Sequence, residues 1–149
     1  MTKMLVFDMD GTIADLYGVE NWLTDLEAEK TRPYEIAKPL CNMTELIEVL
    51  NILRSNNWKI AITTWLSKNG SKEYNKKTAY AKKIWLAKYN FPYDEIHCVK
   101  YGTTKANCTR KKADYQILID DNEKILTNWH LGDTIKASEN LIENLKELI

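Results

Sequence analysis

The 149-residue sequence has few cysteines, glycines and prolines, no excess of either charge and no long apolar run. Its three cysteines are an odd number without metal-type spacing, which argues against a disulfide framework and indicates a reducing compartment. No apolar run approaches the ~20 residues that span a bilayer, and no signal-peptide pattern opens the chain. Basic and acidic residues number 21 each, so no global field attracts nucleic acid or membrane. We expect a cytoplasmic protein without a membrane partner.

Five short apolar runs alternate with helical patterns, and no repeat or low-complexity tract divides the chain. The runs, read as strands, cover residues 4–7, 59–62, 96–99, 116–119 and 133–136. Amphipathic spacing predicts helices over 44–56, 72–89 and 138–148. This alternation favours an α/β fold, a parallel sheet with helices on both faces, in a single domain over residues 1–149. In such a sheet the site lies beyond the carboxyl ends of the strands.

Polar side chains follow three of the predicted strands at the point where each strand ends. The first strand is followed by Asp8-Met9-Asp10-Gly11-Thr12, the second by Thr63 and the fourth by Asp120-Asp121. A calcium loop also uses spaced aspartates, but it needs about a dozen residues of alternating ligands ending in a glutamate, which this chain lacks. We therefore expect these groups to meet at one edge of the sheet.

These motifs, taken in this order with a lysine before the last one, resemble those of the haloacid-dehalogenase superfamily. The resemblance covers residues 4–122. It implies a Rossmann-like sheet and a magnesium-dependent phosphatase that forms an aspartyl-phosphate. A phosphate monoester is a dianion and repels a carboxylate nucleophile, so a divalent cation is needed between them. Oxygen-only ligands favour Mg²⁺ over zinc.

The resemblance also implies a role for each acidic residue. Asp8 is the nucleophile and a magnesium ligand. Asp10 is the general acid–base residue and binds magnesium through its backbone carbonyl. Asp120 is a further magnesium ligand, and Asp121 binds the ion directly or through a water molecule.

Threonine and lysine side chains complete the expected phosphate site. Thr63, with the adjacent Thr64, and one lysine would bind the phosphoryl oxygens. Lys105 is favoured over Lys100 for this role, because the family's lysine commonly lies near a helix start. Thr103 or Thr104 is a plausible cap for that helix.

Substrate choice is the most open question at this stage. Residues 15–41 leave room for a small lid at most. The sequences 7–15 and 118–121 look closest to deoxyribonucleotidases, which implies a nucleoside monophosphate substrate, although the lid of those enzymes is larger. Trp65 follows the threonines, where stacking on a base and ordinary packing are about equally expected.

One alternative is a phosphatase of nucleic-acid ends, favoured by the basic segment 68–112. The other is a non-catalytic phosphate-binding protein, disfavoured by the intact Asp8 and Asp10.

Overall fold

The computed structural model describes all 149 residues and is built around a five-stranded parallel sheet. The order of its strands is β5-β4-β1-β6-β7, and every neighbouring pair is parallel. These strands are β1 (Lys3–Phe7), β4 (Trp58–Trp65), β5 (Glu95–Val99), β6 (Tyr115–Asp120) and β7 (Thr134–Lys136). A separate antiparallel pair consists of β2 (Ala14–Asp15) and β3 (Lys38–Pro39). The predicted parallel α/β class is confirmed.

Helices cover both faces of the sheet, because side chains of alternate strand residues point to opposite sides. The helices are α1 (Trp22–Glu27), α2 (Arg32–Ile36), α3 (Met43–Ser55), α4 (Lys72–Lys88), α5 (Ala106–Thr109), α6 (Glu123–Thr127) and α7 (Leu141–Lys146). The larger core packs α3, α4 and α7 against one face, and the smaller core packs α5 and α6 against the other. None of the helices is both long and apolar enough to cross a membrane.

Strand β1 occupies the centre of the sheet and determines where the first motif lies. Its residues 4–7 are completely buried, as expected for a continuous apolar run between two parallel neighbours. Phe7, its last residue, is in register with Ile62 of β4 and Ile119 of β6. The residues that follow these three, Asp8, Thr63 and Asp120, are therefore brought side by side at the carboxyl edge.

Residues 15–41, the segment predicted to be a small lid and called the lid below, include most of the paired strands β2 and β3. The lid contains a 3₁₀ turn (Leu16–Gly18), α1 and α2. Helix α2 is not among the predicted helices; it has only five residues, with a proline in its first turn, where proline is tolerated. Glu29 of the lid accepts hydrogen bonds from the backbone N–H and the hydroxyl of Ser71, at 2.8 and 2.7 Å. The lid is thereby attached to the start of α4.

Two helix starts differ from the sequence expectation. Helix α5 begins after Lys105, and the Thr103 hydroxyl donates to the Lys100 carbonyl instead of capping the helix. Helix α7 begins at Leu141, whereas Ser138 was expected to cap it; the Ser138 hydroxyl accepts from Asn140 in the turn before the helix. In both cases the side-chain oxygen forms a local turn, which is the alternative that such residues offer to a helix start.

We expect Leu50→Ala to lower the free energy of unfolding by about 2–5 kcal/mol, because it empties a fully buried position on the inner face of α3. The matched control is Ile52→Ala on the same helix, where the side chain is 45% exposed and about 0.5–1 kcal/mol is expected. Urea denaturation of both variants measures the difference. Equal losses would contradict the assignment of the inner face of α3.

Candidate active site

Three carboxylates converge at the carboxyl edge of the sheet. One oxygen each of Asp8, Asp120 and Asp121 lies within 4.8 Å of the others. The tight turn after β1 makes this approach possible, because Gly11 has φ +82° and a Cβ there would lie 2.5 Å from Asp121 Oδ2. The Thr12 hydroxyl lies 3.0 Å from Asp8 Oδ2 and 3.3 Å from Asp121 Oδ1, linking two of the three groups.

Lys105 lies among these carboxylates and is almost completely buried. Its Nζ donates to Asp8 Oδ1 at 2.9 Å and to Asp120 Oδ2 at 2.8 Å. Burial lowers the pKa of the Lys105 ammonium, but the carboxylates of Asp8 and Asp120 outweigh burial and raise it above its ordinary value. Lys105 is therefore a buried cation in the site. Lys100, the other lysine considered from the sequence, is an exposed residue with no side-chain hydrogen bond in the protein.

Lys82 is a second buried lysine at the site, and the sequence analysis missed it. It lies on the inner face of α4 with no exposed surface, and its Nζ donates to Asp10 Oδ2 at 2.9 Å. The same nitrogen donates to Thr64 Oγ1 at 2.7 Å and to the Trp65 carbonyl at 2.9 Å. The sequence signal was its spacing from Thr78, Ala81 and Trp85, which all lie on the buried face of that helix.

Thr63 and Thr64 point to opposite faces of the sheet, since they are consecutive residues of one strand. Thr64 lines the cavity beside Asp10. Both residues are fully buried, but Thr63 is not part of the cavity lining, and its hydroxyl has no hydrogen-bond partner in the protein. Of the two, Thr64 is thus the one placed for contact with a bound group, and phosphate binding by Thr63 stays a prediction.

The crowding of negative charge changes the protonation of three carboxyl groups. Burial, and then the charge of Asp8, raise the pKa of Asp120, while Lys105 opposes them. Burial also raises the pKa of Asp10 against the lowering effect of Lys82. For Asp121, burial, a hydrogen bond to Asp8 and the nearby charges raise the pKa to about 7. Negative charge is therefore costly here without additional cations.

A cavity of about 390 Å³ opens above these groups, between the lid and the loops that follow β4 and β5. Asp8, Asp10, Thr64 and Lys105 contribute to its polar end. Its other walls are rich in aromatic side chains: Tyr17 and Trp22 of the lid, with ring centroids 4.9 Å apart, Tyr34, and Trp65 and Tyr101, also 4.9 Å apart. The cavity thus joins a charged end to an apolar, aromatic compartment.

The residues at the polar end fit a magnesium ion. Asp8, Asp120 and Asp121 supply only oxygen donors, close enough to share one ion, and a hard divalent cation prefers such ligands. Burial and the neighbouring carboxylates raise the pKa of Asp120 and of Asp121, and a bound cation would favour their charged forms. No histidine or cysteine belongs to the cluster, which disfavours zinc.

Comparisons with known proteins bear on the fold. No protein-family model matches the chain, and no curated protein matches it. A solved structure, that of D,D-heptose 1,7-bisphosphate phosphatase from Burkholderia thailandensis, is similar over 85% of this chain and 70% of that chain, with a TM-score of 0.53 and 16% identity. The two chains therefore share a fold, a parallel α/β sheet with helices on both faces, as the alternation of strands and helices predicted. At this identity the likeness establishes the fold alone.

The raised pKa of Asp121 predicts a pH-dependent cost in stability in metal-free buffer. Between its ordinary value of 3.8 and about 7, the folded chain keeps a proton that the unfolded chain has released. This contribution to stability is therefore lost as pH rises through that window. Asp121→Asn removes the effect, so its melting temperature should exceed that of the wild type at pH 8, with a smaller difference at pH 5.

Thermal denaturation in EDTA across this pH range measures the effect. Glu139→Gln, at an exposed position away from the site, is the control and should show no such trend. If the melting temperature of Asp121→Asn differs from that of the wild type by the same amount at every pH, the raised pKa of Asp121 is not the cause of the difference.

Proposed function

We propose that the protein is a magnesium-dependent phosphomonoesterase that acts through an aspartyl-phosphate on Asp8. The environment of Asp8 is the observation that carries this proposal. Its carboxylate lies at the floor of the cavity, in contact with a buried cation and a hydroxyl donor, and Asp10 lies two residues further on. A phosphate-binding module has no need of a carboxylate at this point, since that charge repels phosphate.

The reaction has two displacements at phosphorus. An oxygen of Asp8 forms a bond to phosphorus while the bond to the leaving oxygen breaks, and Asp10 gives a proton to that oxygen. Water then attacks the same phosphorus, Asp10 accepts a proton from it, and inorganic phosphate leaves as Asp8 is restored. Burial favours the protonated Asp10 that the first step requires. Mg²⁺, held by Asp8, Asp120 and Asp121 with the Asp10 backbone carbonyl, would neutralise charge between the carboxylate and the phosphate dianion.

Lys105 and Thr64 are the phosphate-binding side chains in this proposal. Lysine has three N–H donors, and Lys105 uses two of them on Asp8 and Asp120, so one is left for a phosphoryl oxygen. Thr64, a buried residue beside Asp10, also belongs to the lining of the cavity. Donors at these positions stabilise the charge on the transferring group in the transition state.

Nucleoside monophosphates are the proposed substrates, as the resemblance to deoxyribonucleotidases implied. The aromatic walls support this choice, because a base can stack on Trp65, Tyr101 or the lid rings. The charges of the lining support it too. Lys68 and Lys105 are the only cations there, and Glu27 lies on the lid side. Lys105 serves the first phosphate, which leaves Lys68 alone for a second one. This disfavours a bisphosphate such as the one that the similar structure's name describes.

A phosphatase of nucleic-acid ends is the competing hypothesis. Exposed lysines along the outer face of α4 would contact a phosphodiester backbone (Lys72, Lys76, Lys77, Lys83 and Lys88). The lid argues against this alternative, because it covers the cavity and is attached to the start of α4 by Glu29.

Asp8→Asn should reduce the hydrolysis of p-nitrophenyl phosphate by several orders of magnitude, because an amide cannot act as the nucleophile. The wild type should lose its activity in EDTA and regain it with added Mg²⁺. Circular dichroism checks that the variant is folded, and Glu139→Gln is the matched surface control. Full activity in Asp8→Asn, with contamination excluded, would refute the mechanism.

Trp65→Ala should lower kcat/KM for a deoxynucleoside monophosphate about tenfold or more, since stacking on a base contributes ~1–3 kcal/mol. Because the Trp65 indole also donates to the Thr103 carbonyl near Lys105, Trp65→Phe is the matched control for that hydrogen bond. The phenylalanine variant keeps a stacking face and should lose much less. Turnover of p-nitrophenyl phosphate should change little in the alanine variant.

The same measurements with an end-phosphorylated oligonucleotide across a salt series separate the two substrate hypotheses. A mononucleotide enzyme prefers the monophosphate, with weak salt dependence. Strong preference for the oligonucleotide, falling steeply with salt, would favour the competing hypothesis.

A further inference from the structure

Lys82 is the most unusual side chain in the molecule that the proposed chemistry leaves unused. A lysine is rarely buried completely unless its charge is paired, and Lys82 has no exposed surface. Helix α4 carries it at a buried position, whereas the adjacent Lys83 is exposed. The Lys82 ammonium also lies 5.1 Å from the centre of the Tyr34 ring in the lid. The ammonium is thus enclosed by the sheet, the helix and the lid.

All three hydrogen-bond donors of Lys82 have partners in the protein. The ammonium donates to Asp10 Oδ2, Thr64 Oγ1 and the carbonyl of Trp65, at 2.9, 2.7 and 2.9 Å. An ammonium has three N–H groups and no acceptor, so none is left for a substrate. Lys82 therefore differs from Lys105, which keeps one donor. Its effect on the reaction has to pass through the groups that it holds.

The first of these groups is the Thr64 hydroxyl. Because Lys82 can only donate, Thr64 Oγ1 is the acceptor in their hydrogen bond. The hydroxyl proton of Thr64 has no acceptor in the protein, and Thr64, although it has no exposed surface, belongs to the lining of the cavity. Lys82 thus leaves Thr64 with a proton to donate to an oxygen in the cavity.

The second group is the Asp10 carboxyl. Lys82 binds Oδ2, while Oδ1 has no donor from the protein, and the side chain is 15% exposed. The oxygen that is free to exchange a proton with a substrate is therefore Oδ1. One buried cation thus binds both the Thr64 hydroxyl and the Asp10 carboxyl.

We propose that Lys82 is a positioning residue for phosphoryl transfer, which presents the Thr64 hydroxyl as a donor to a phosphoryl oxygen and Asp10 Oδ1 to the leaving-group oxygen. This inference rests on the proposed phosphomonoesterase activity. A purely structural role, in which Lys82 only joins α4 to β4, is the competing explanation. The two differ in whether the loss depends on the leaving group.

The test compares Lys82→Met with Lys83→Met, the adjacent exposed position on the same helix. Two substrates are used with Mg²⁺: p-nitrophenyl phosphate, whose leaving anion is stable without a proton, and a deoxynucleoside monophosphate, whose leaving alkoxide requires one. Lys82→Met should lose about 100-fold more kcat/KM on the nucleotide than on p-nitrophenyl phosphate, as expected for impaired general acid catalysis. Lys83→Met should stay within about twofold of wild type on both substrates, as expected for a surface position.

Thr64 supplies the second arm of the test, and its variants keep the buried ion pair of Lys82 and Asp10. Thr64→Val should reduce kcat on both substrates by about 100-fold, the typical effect of losing one transition-state donor, and Thr64→Ser should retain most activity. On p-nitrophenyl phosphate the double variant Lys82→Met/Thr64→Val should be no worse than Thr64→Val, because Lys82 acts there through that hydroxyl.

Three results would overturn the inference. The first is an equal loss of kcat/KM on both substrates in Lys82→Met, and the second is a loss in the double variant equal to the product of the two single losses. The third is full activity in Thr64→Val. If Lys82→Met does not fold, the Thr64 variants still decide, because activity in Thr64→Val would remove the donor that Lys82 is inferred to present. A wild type without turnover on any phosphate ester would instead refute the proposed function itself. If the wild type hydrolyses the esters but the effects of the Lys82 and Thr64 substitutions are independent, only the role of Lys82 is refuted.

Discussion

This site depends on cations that balance its concentrated negative charge. Four carboxyl groups, those of Asp8, Asp10, Asp120 and Asp121, meet where three parallel strands end, and burial raises the cost of their ionisation. Two buried lysines balance part of this charge, and they come from opposite helical layers. Lys105 enters from the side of α5, and Lys82 from α4 on the other face. The sheet therefore holds its acidic edge between two cations, and a metal ion would supply the rest.

The polar groups of the site fall into two sets, one on each face. Lys105 joins Asp8 and Asp120, which in the proposed mechanism are the nucleophile and a magnesium ligand. Asp10, Thr64 and Lys82 form a second set on the side where the lid closes over the cavity. Aromatic residues of the lid and of the loops after β4 and β5 line the same cavity. In the proposed mechanism, attack on phosphorus and departure of the leaving group would depend on different layers of one fold.

The sequence was informative where one local pattern determines the structure. Continuous apolar runs are typical of buried parallel strands, and the motif residues follow them directly, so the sheet and its acidic edge could be predicted. Lys82 could not be found by its residue type, because it stands among many exposed lysines; only its helical spacing from buried neighbours separates it from them. The choice between Thr63 and Thr64 depends on which face each side chain meets, which a sequence without the register leaves open. Helix α2 of the lid has only five residues, too few for helical spacing to identify it.

The position of β1 has a consequence for the order in which the chain folds. This central strand precedes both of its neighbours in the chain, β4, ending at Trp65, and β6, ending at Asp120. During synthesis β1 therefore has neither partner at first, and it obtains the second only after residues 115–120 have been made. Every ladder that it forms closes a long loop, which slows folding. The apolar strand at the centre of the finished site is thus open to aggregation until both partners are in place.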